Sequence, residues 1–369
     1  MRRILSGLER APRCVSAGLT QTITFAGALI AASLFCGSPA TAGPDASIGA
    51  KGDCAADGLR SVCGVSKPED MVPLVGSAWV IVSGYKPDAI YRVDRRSRQA
   101  VNLAASIRIQ WNKRDHPGCP GPLVRGGLTA HGIAVVDGKS PALLVINHGS
   151  REAVEIYKVR RRDAALTWVG CVPVPGDMMA NSIAPLASGG FAATSLGKPG
   201  TNVLLDIVAG RPTGEVRLWS RREGWKTLPN SQGSGPNGLA VARDGRSIYV
   251  NMSGSRQIVR MYLDGRPAMR SAQIDILPDN LRWGTNGKLT TTGMRFDPGS
   301  NMSCLSRPGC HPPFDVYEVD PGTLTATSLS WRFKATPMPL ATTALRLGDE
   351  LWVSSIGGER IVIFPLMPM

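Results

Sequence analysis

One recurring phrase constrains the fold more than any other feature of the chain. His131-Gly-Ile-Ala-Val-Val-Asp-Gly138 leads into a strand-like run, then Asn147-His-Gly149, then Glu152-Ala-Val-Glu-Ile-Tyr-Lys-Val159. It returns as Asn237-Gly-Leu-Ala-Val-Ala-Arg-Asp-Gly245, a second run, and Asn251-Met-Ser-Gly-Ser-Arg-Gln-Ile-Val-Arg-Met261. Weaker copies begin at Asn181-Ser-Ile183 and Asn280-Leu-Arg282. The spacing of these starts, about 50 residues, is that of four-stranded propeller blades.

The rest of the pattern agrees. Short runs rich in Val and Ile, such as Ala78-Trp-Val-Ile-Val82, Ser247-Ile-Tyr-Val250 and Arg360-Ile-Val-Ile-Phe364, fill the chain. Asp137-Gly138, Asp244-Gly245, Asp264-Gly265 and Asn286-Gly287 separate them and suit hairpins that need positive φ. Long amphipathic helical stretches are nearly absent. The expected fold is all-β: a six-bladed β-propeller with four-stranded blades, a single domain over residues 69–369 preceded by an N-terminal segment, 43–68.

Residues 1–42 read as a secretory signal peptide. Arg2 and Arg3 come first, an apolar run spans Ile23 to Cys36, and Ala40-Thr-Ala42 offers a cleavage site. That run is short for a bilayer crossing, which takes about 20 residues. The expectation is therefore a periplasmic or secreted protein without stable membrane insertion. Cys54, Cys63, Cys119, Cys171, Cys304 and Cys310 remain beyond the leader. An even number in an oxidising compartment favours disulfides. Cys54 with Cys63 and Cys304 with Cys310 are plausible local pairs, which leaves Cys119 with Cys171, but spacing alone does not choose. The net charge of +14 attracts anions without specifying one. No zinc-finger or basic-heptad pattern accompanies it, so no nucleic-acid partner is expected. Phosphate loops and the Gly-x-Ser-x-Gly turn of serine hydrolases are also absent.

Residues just before the innermost strand of each blade converge at one end of a propeller's channel. His131, Asn181, Asn237 and Asp279-Asn280 hold that place in the repeat. Asp and Asn oxygens suit calcium, which takes six to eight of them. Such residues also serve simply as turn formers.

In order along residues 65–365, several stretches resemble the serum paraoxonase/arylesterase family, within the gluconolactonase-like and strictosidine-synthase-like propellers. They are Glu69-Asp70 with Val80-Ile-Val-Ser-Gly84, His131-Gly-Ile133, Leu143-Leu-Val-Ile-Asn-His148, Asn181-Ser-Ile183, Pro236-Asn-Gly-Leu239 and Asp279-Asn280. The resemblance implies a catalytic calcium on Glu69, Asn181, Asn237, Asp279 and Asn280. It implies a second, structural calcium on Asp70, Ser182 and the Ile133 carbonyl, where Ser182 replaces the family's aspartate. It makes His131 the general base and His148 its partner. The implied activity is hydrolysis of lactones or aryl esters, small-molecule substrates. The family's helical entrance loop is not obvious between Leu196 and Pro212, and its C-terminal cysteine is missing. A noncatalytic calcium-binding propeller and a sugar-lactone hydrolase are the competing readings. Trp111, Trp168, Trp219, Trp225 and Trp283 are expected mainly in packing rather than in a pocket.

Overall fold

The computed structural model describes residues 58–299, 311–329 and 338–366, together with Cys54 and Ser303. The leader and the Cys304–Cys310 pair lie outside the described residues. The described residues form six mainly antiparallel sheets, taken up one after another along the chain except for a short first strand that joins the last sheet. The innermost strands are Pro68–Pro73, Ala130–Val136, Ala180–Pro185, Pro236–Val241, Leu281–Trp283 and Ala341–Leu347. Successive inner strands touch around a ring, and the last touches the first. This is a six-bladed β-propeller whose blades are four-stranded apart from the second. That blade has a fifth, outer strand, Arg108–Ile109, parallel to Ala165–Pro173.

Hydrophobic patterning explains the blade stack. Each blade is covered on both faces, so its middle strands are apolar almost throughout, as in Trp79–Gly84 and Ser247–Met252. Six apolar clusters fill the gaps between neighbouring blades. Val72, Ile81 and Ile90 of the first blade, for example, meet Ile133, Leu143 and Tyr157 of the second. Leu345, Trp352 and Ile363 of the sixth meet Met71, Val80 and Val82 of the first. Core continuity around the ring is what holds the six channel-facing strands in register.

The N-terminal segment takes part in closing the ring. Ser61–Val62 pairs antiparallel with Ile361–Pro365, so the sixth blade draws strands from both parts of the chain. A two-residue strand is too short to carry a periodic signal, and the sequence places the segment outside the propeller. A disulfide joins Cys63, directly after this strand, to Cys54, and Cys119–Cys171 joins the connection before the second blade to that blade's outer edge. The latter pair is 52 residues apart in sequence. Cross-links of such loops commonly contribute about 2–4 kcal/mol. Cys119→Ser/Cys171→Ser protein should unfold at correspondingly lower denaturant than the native chain, and an unchanged midpoint would contradict this role. Among the described residues no helix is long and apolar enough to cross a membrane.

Candidate functional site

The site is built by a repeated backbone irregularity. In five inner strands the pairing register shifts beside the second residue: between Pro68 and Asp70, Ala130 and Ile133, Ala180 and Ile183, Pro236 and Leu239, and Ala341 and Thr343. A bulge leaves its residues outside the ladder and re-aims their side chains. The residues so released are Glu69, His131, Asn181, Asn237 and Thr342, the second residue of each strand. On the fifth blade Asn280 directly precedes Leu281–Trp283 and takes the equivalent place. Small residues follow at Gly132 and Gly238. A Cβ on Gly132 would stand 2.2 Å from the Asn181 carbonyl oxygen, and one on Gly238 would stand 2.3 Å from the Leu281 nitrogen. Neighbouring inner strands approach that closely only because those side chains are absent.

The ring is stitched blade to blade. The Asp279 carbonyl accepts from Gly238 N at 3.0 Å and the Thr342 carbonyl from Asn280 N at 2.9 Å. The Thr342 hydroxyl donates to the Glu69 carbonyl at 2.6 Å. Asn280 Nδ2 donates to Glu69 Oε1 at 2.6 Å, and His131 Nε2 lies 3.6 Å from the same oxygen. Asn251, which stands in the repeat phrase without an expected site role, donates from Nδ2 to the Asp279 carbonyl at 2.6 Å and to Thr291 Oγ1 at 2.7 Å. It holds the Asp279-Asn280 turn in place.

The electrostatics of this layer are one-sided. Glu69 Oε2, Asn181 Oδ1, Asn237 Oδ1 and Asn280 Oδ1 are buried acceptors without a hydrogen-bond partner. Each such group costs on the order of 1–3 kcal/mol. Burial, reinforced by the neighbouring Asp70 and Asp279 charges, pushes the Glu69 carboxyl well above the usual range. Burial likewise raises Asp279 to about 7, against a lowering bond from Asn237. Four unpaired oxygens and two carboxyls held toward the neutral form make this a layer of buried acceptors short of donors. Oxygen-only donors of this kind fit a hard divalent ion such as calcium and do not fit soft metals. Among the described residues no three His, Cys, Asp or Glu side chains are placed to hold a metal. The donor set here is different in kind, with amide oxygens supplying most of it.

Beside this layer runs a polar chain. His131 Nδ1 is 2.9 Å from His148 Nε2, and His148 Nδ1 is 2.7 Å from Glu152 Oε2. A carboxylate only accepts, so Glu152 puts a proton on His148 Nδ1, and the neutral His148 ring then accepts at Nε2. His131 must then donate from Nδ1, which leaves its Nε2 lone pair directed toward the ring. Burial, with the nearby His148, holds His131 well below the ordinary histidine range, so it is neutral. Tyr85 packs edge-on against both rings, at centroid distances of 5.1 and 6.1 Å.

Next to the ring lies a pocket of roughly 160 Å³. It reaches the ring at Asn237, Asp279 and Thr342, and Leu196, Leu204, Ile207, Leu277, Met294 and Ile356 make up much of its wall. The histidines stand on the second blade, outside this wall. Leu204 and Ile207 belong to a helix, Val203–Val208, in the stretch where the sequence showed none. Six residues give too little periodicity to register as a helix. Three of the indoles are packing groups: Trp168 donates to buried Glu155 at 2.7 Å, Trp219 stacks on Phe191 and Trp283 meets Tyr249 edge-on, whereas Trp111 is exposed.

The residues expected around a second ion are hydrogen-bonded to other groups of the chain. Both Asp70 oxygens and the Ile133 carbonyl are bonded to the Arg282 guanidinium. Ser182 Oγ accepts from Leu239 N at 3.2 Å, tying the third blade to the fourth.

No family model matches the sequence, and no curated protein matches it. The fold resembles solved propellers. A gluconolactonase from Xanthomonas campestris aligns with a TM-score of 0.51 and 15% identity, covering 84% of this chain and 89% of that one. The PQQ-bound aldose sugar dehydrogenase of Streptomyces coelicolor gives 0.51 and 14%, covering 83% and 96%. A luciferin-regenerating enzyme gives 0.50 and 12%, covering 83% and 91%. At such identities the likeness is one of fold, and the three differ in chemistry, so function must be argued from the site.

Proposed function

We propose that this protein is a calcium-dependent hydrolase of lactones or aryl esters. The observation that carries the reading is the set of four buried, unpartnered acceptor oxygens from Glu69, Asn181, Asn237 and Asn280, next to a histidine whose Nε2 faces the same layer, 3.6 Å from Glu69 Oε1. Glu69, Asn181, Asn237, Asp279 and Asn280 would hold the ion. When bound, it polarises the ester carbonyl and offsets the charge developing on its oxygen.

The chain's own groups supply the rest. His131 Nε2 takes a proton from water as that water's oxygen attacks the carbonyl carbon. The ring C–O bond of a lactone then breaks, and the same nitrogen returns the proton to the departing oxygen. His148 and Glu152 fix the His131 tautomer and steady the imidazolium between the two transfers. The apolar wall favours a lactone or ester carrying hydrocarbon over a polyhydroxylated sugar lactone, because it offers a sugar's hydroxyls few partners. The leader read over residues 1–42 supports work in the periplasm or outside the cell.

The test is hydrolysis of alkyl-substituted lactones and phenyl acetate before chelation, after it, and after calcium is returned. Activity should vanish and recover. Asn237→Ala should lower both calcium affinity and hydrolysis by more than about 100-fold. Calcium binding without turnover of any lactone or ester would instead establish a noncatalytic propeller.

A further inference from the structure

We infer that Arg282 is the resident cation of the channel's inner layer, and that a guanidinium there takes the place of a second metal ion. Asp70 is fully buried and lies one residue inside the Glu69 ring. A carboxylate in that setting requires a positive partner and hydrogen bonds for its remaining lone pairs. It has both. Oδ1 accepts from Met71 N at 2.7 Å and from Arg282 Nε at 2.9 Å, and Thr343 Oγ1 lies 3.3 Å away. Oδ2 accepts from Ile133 N at 2.9 Å and from Arg282 Nη2.

Four of the five guanidinium N–H groups donate in turn. Nη2 also reaches the Ile133 carbonyl at 3.2 Å, and Nη1 donates to the Leu281 carbonyl at 3.0 Å. All three nitrogens are engaged, and the side chain is 8% exposed. The planar fork matches a carboxylate in two places at once, which a point charge cannot do. The residues expected around a second ion are thus either committed to Arg282, as Asp70 and the Ile133 carbonyl are, or bonded elsewhere, as Ser182 is to Leu239 N. Charge and lone pairs are both accounted for. The contrast with the outer layer is sharp: there four acceptors have no partner, and here none of the Asp70 or Arg282 polar atoms is left over. Arg282 also joins the first, second and fifth blades, because Asp70, Ile133 and Leu281 belong to three different inner strands.

The inference concerns the number of ions and stands apart from hydrolysis. Its test is ion counting by equilibrium dialysis and metal analysis, with calorimetry. The native chain should bind no ion that depends on Asp70: at most one calcium, at the outer layer. Two calcium ions per native chain would overturn the inference. Ser182→Asp/Arg282→Ala removes the resident cation and restores a carboxylate. It should bind one calcium more than the native chain, and its unfolding temperature should rise on calcium addition. A folded double variant with no gain would also overturn the inference. Should that variant not fold, the native count still decides. If the outer site were wrong, the native count would be zero and the variant count one, so the two ideas fail separately.

Discussion

His131→Gln protein should hydrolyse lactones about 10²- to 10⁴-fold more slowly than the native chain while binding calcium with similar affinity. The size of the loss follows from what the nitrogen does. Proton transfer by a positioned base contributes on that scale, and the hydrogen-bonded chain from Glu152 through His148 leaves His131 Nε2 as the one position able to accept. Glutamine keeps a polar group near Glu69 and removes the base. A smaller effect, about 10-fold, is expected for Glu152→Gln, whose side chain is half exposed and acts through His148. The measurement is kcat and KM on one lactone, with calcium affinity measured separately. Native turnover by His131→Gln would remove the base assignment. Lost turnover accompanied by lost calcium binding would show the histidine to be part of the ion site.

Arg282→Leu should be the most damaging single change to stability among the residues discussed. It removes the partner of a buried carboxylate and leaves the carboxylate in place. Breaking a buried pair in this way costs about 3–5 kcal/mol, which for a chain of this size lowers the unfolding temperature by roughly 10 °C. Most of that cost belongs to the stranded Asp70 charge. Asp70→Asn/Arg282→Leu should therefore recover much of the loss, and chemical denaturation of the four proteins in the cycle measures the coupling directly. If the double variant is destabilised by the sum of the single changes, Asp70 and Arg282 do not act as a pair.

These two residues also show where sequence reading ends. The repeat exposes itself because each blade must present an apolar strand to both neighbours, so phrases such as His131-Gly-Ile and Asn237-Gly-Leu recur at a fixed point. The bulge at the second residue explains why that point carries polar side chains: it faces the channel in place of a neighbouring blade. Arg282 sits in an apolar-flanked Leu-Arg-Trp that reads like the edge of any strand. Its partner is 212 residues away, and only ring closure brings them together. Thr342, a ring member, is invisible for a different reason, since threonine is an ordinary strand residue. Asn251 lies on a second strand, Ser247–Met252, where an asparagine among apolar neighbours announces burial without naming what it holds. The helix Val203–Val208 and the strand Ser61–Val62 are too short for periodicity to reveal.

A crystal structure of the protein grown with calcium, with an anomalous difference map, tests the central claim most directly. A single peak is expected in the channel among the oxygens of Glu69, Asn181, Asn237, Asp279 and Asn280, with the Arg282 guanidinium in place on Asp70. An empty outer layer at saturating calcium, or a peak on Asp70 with Arg282 turned away, would contradict it.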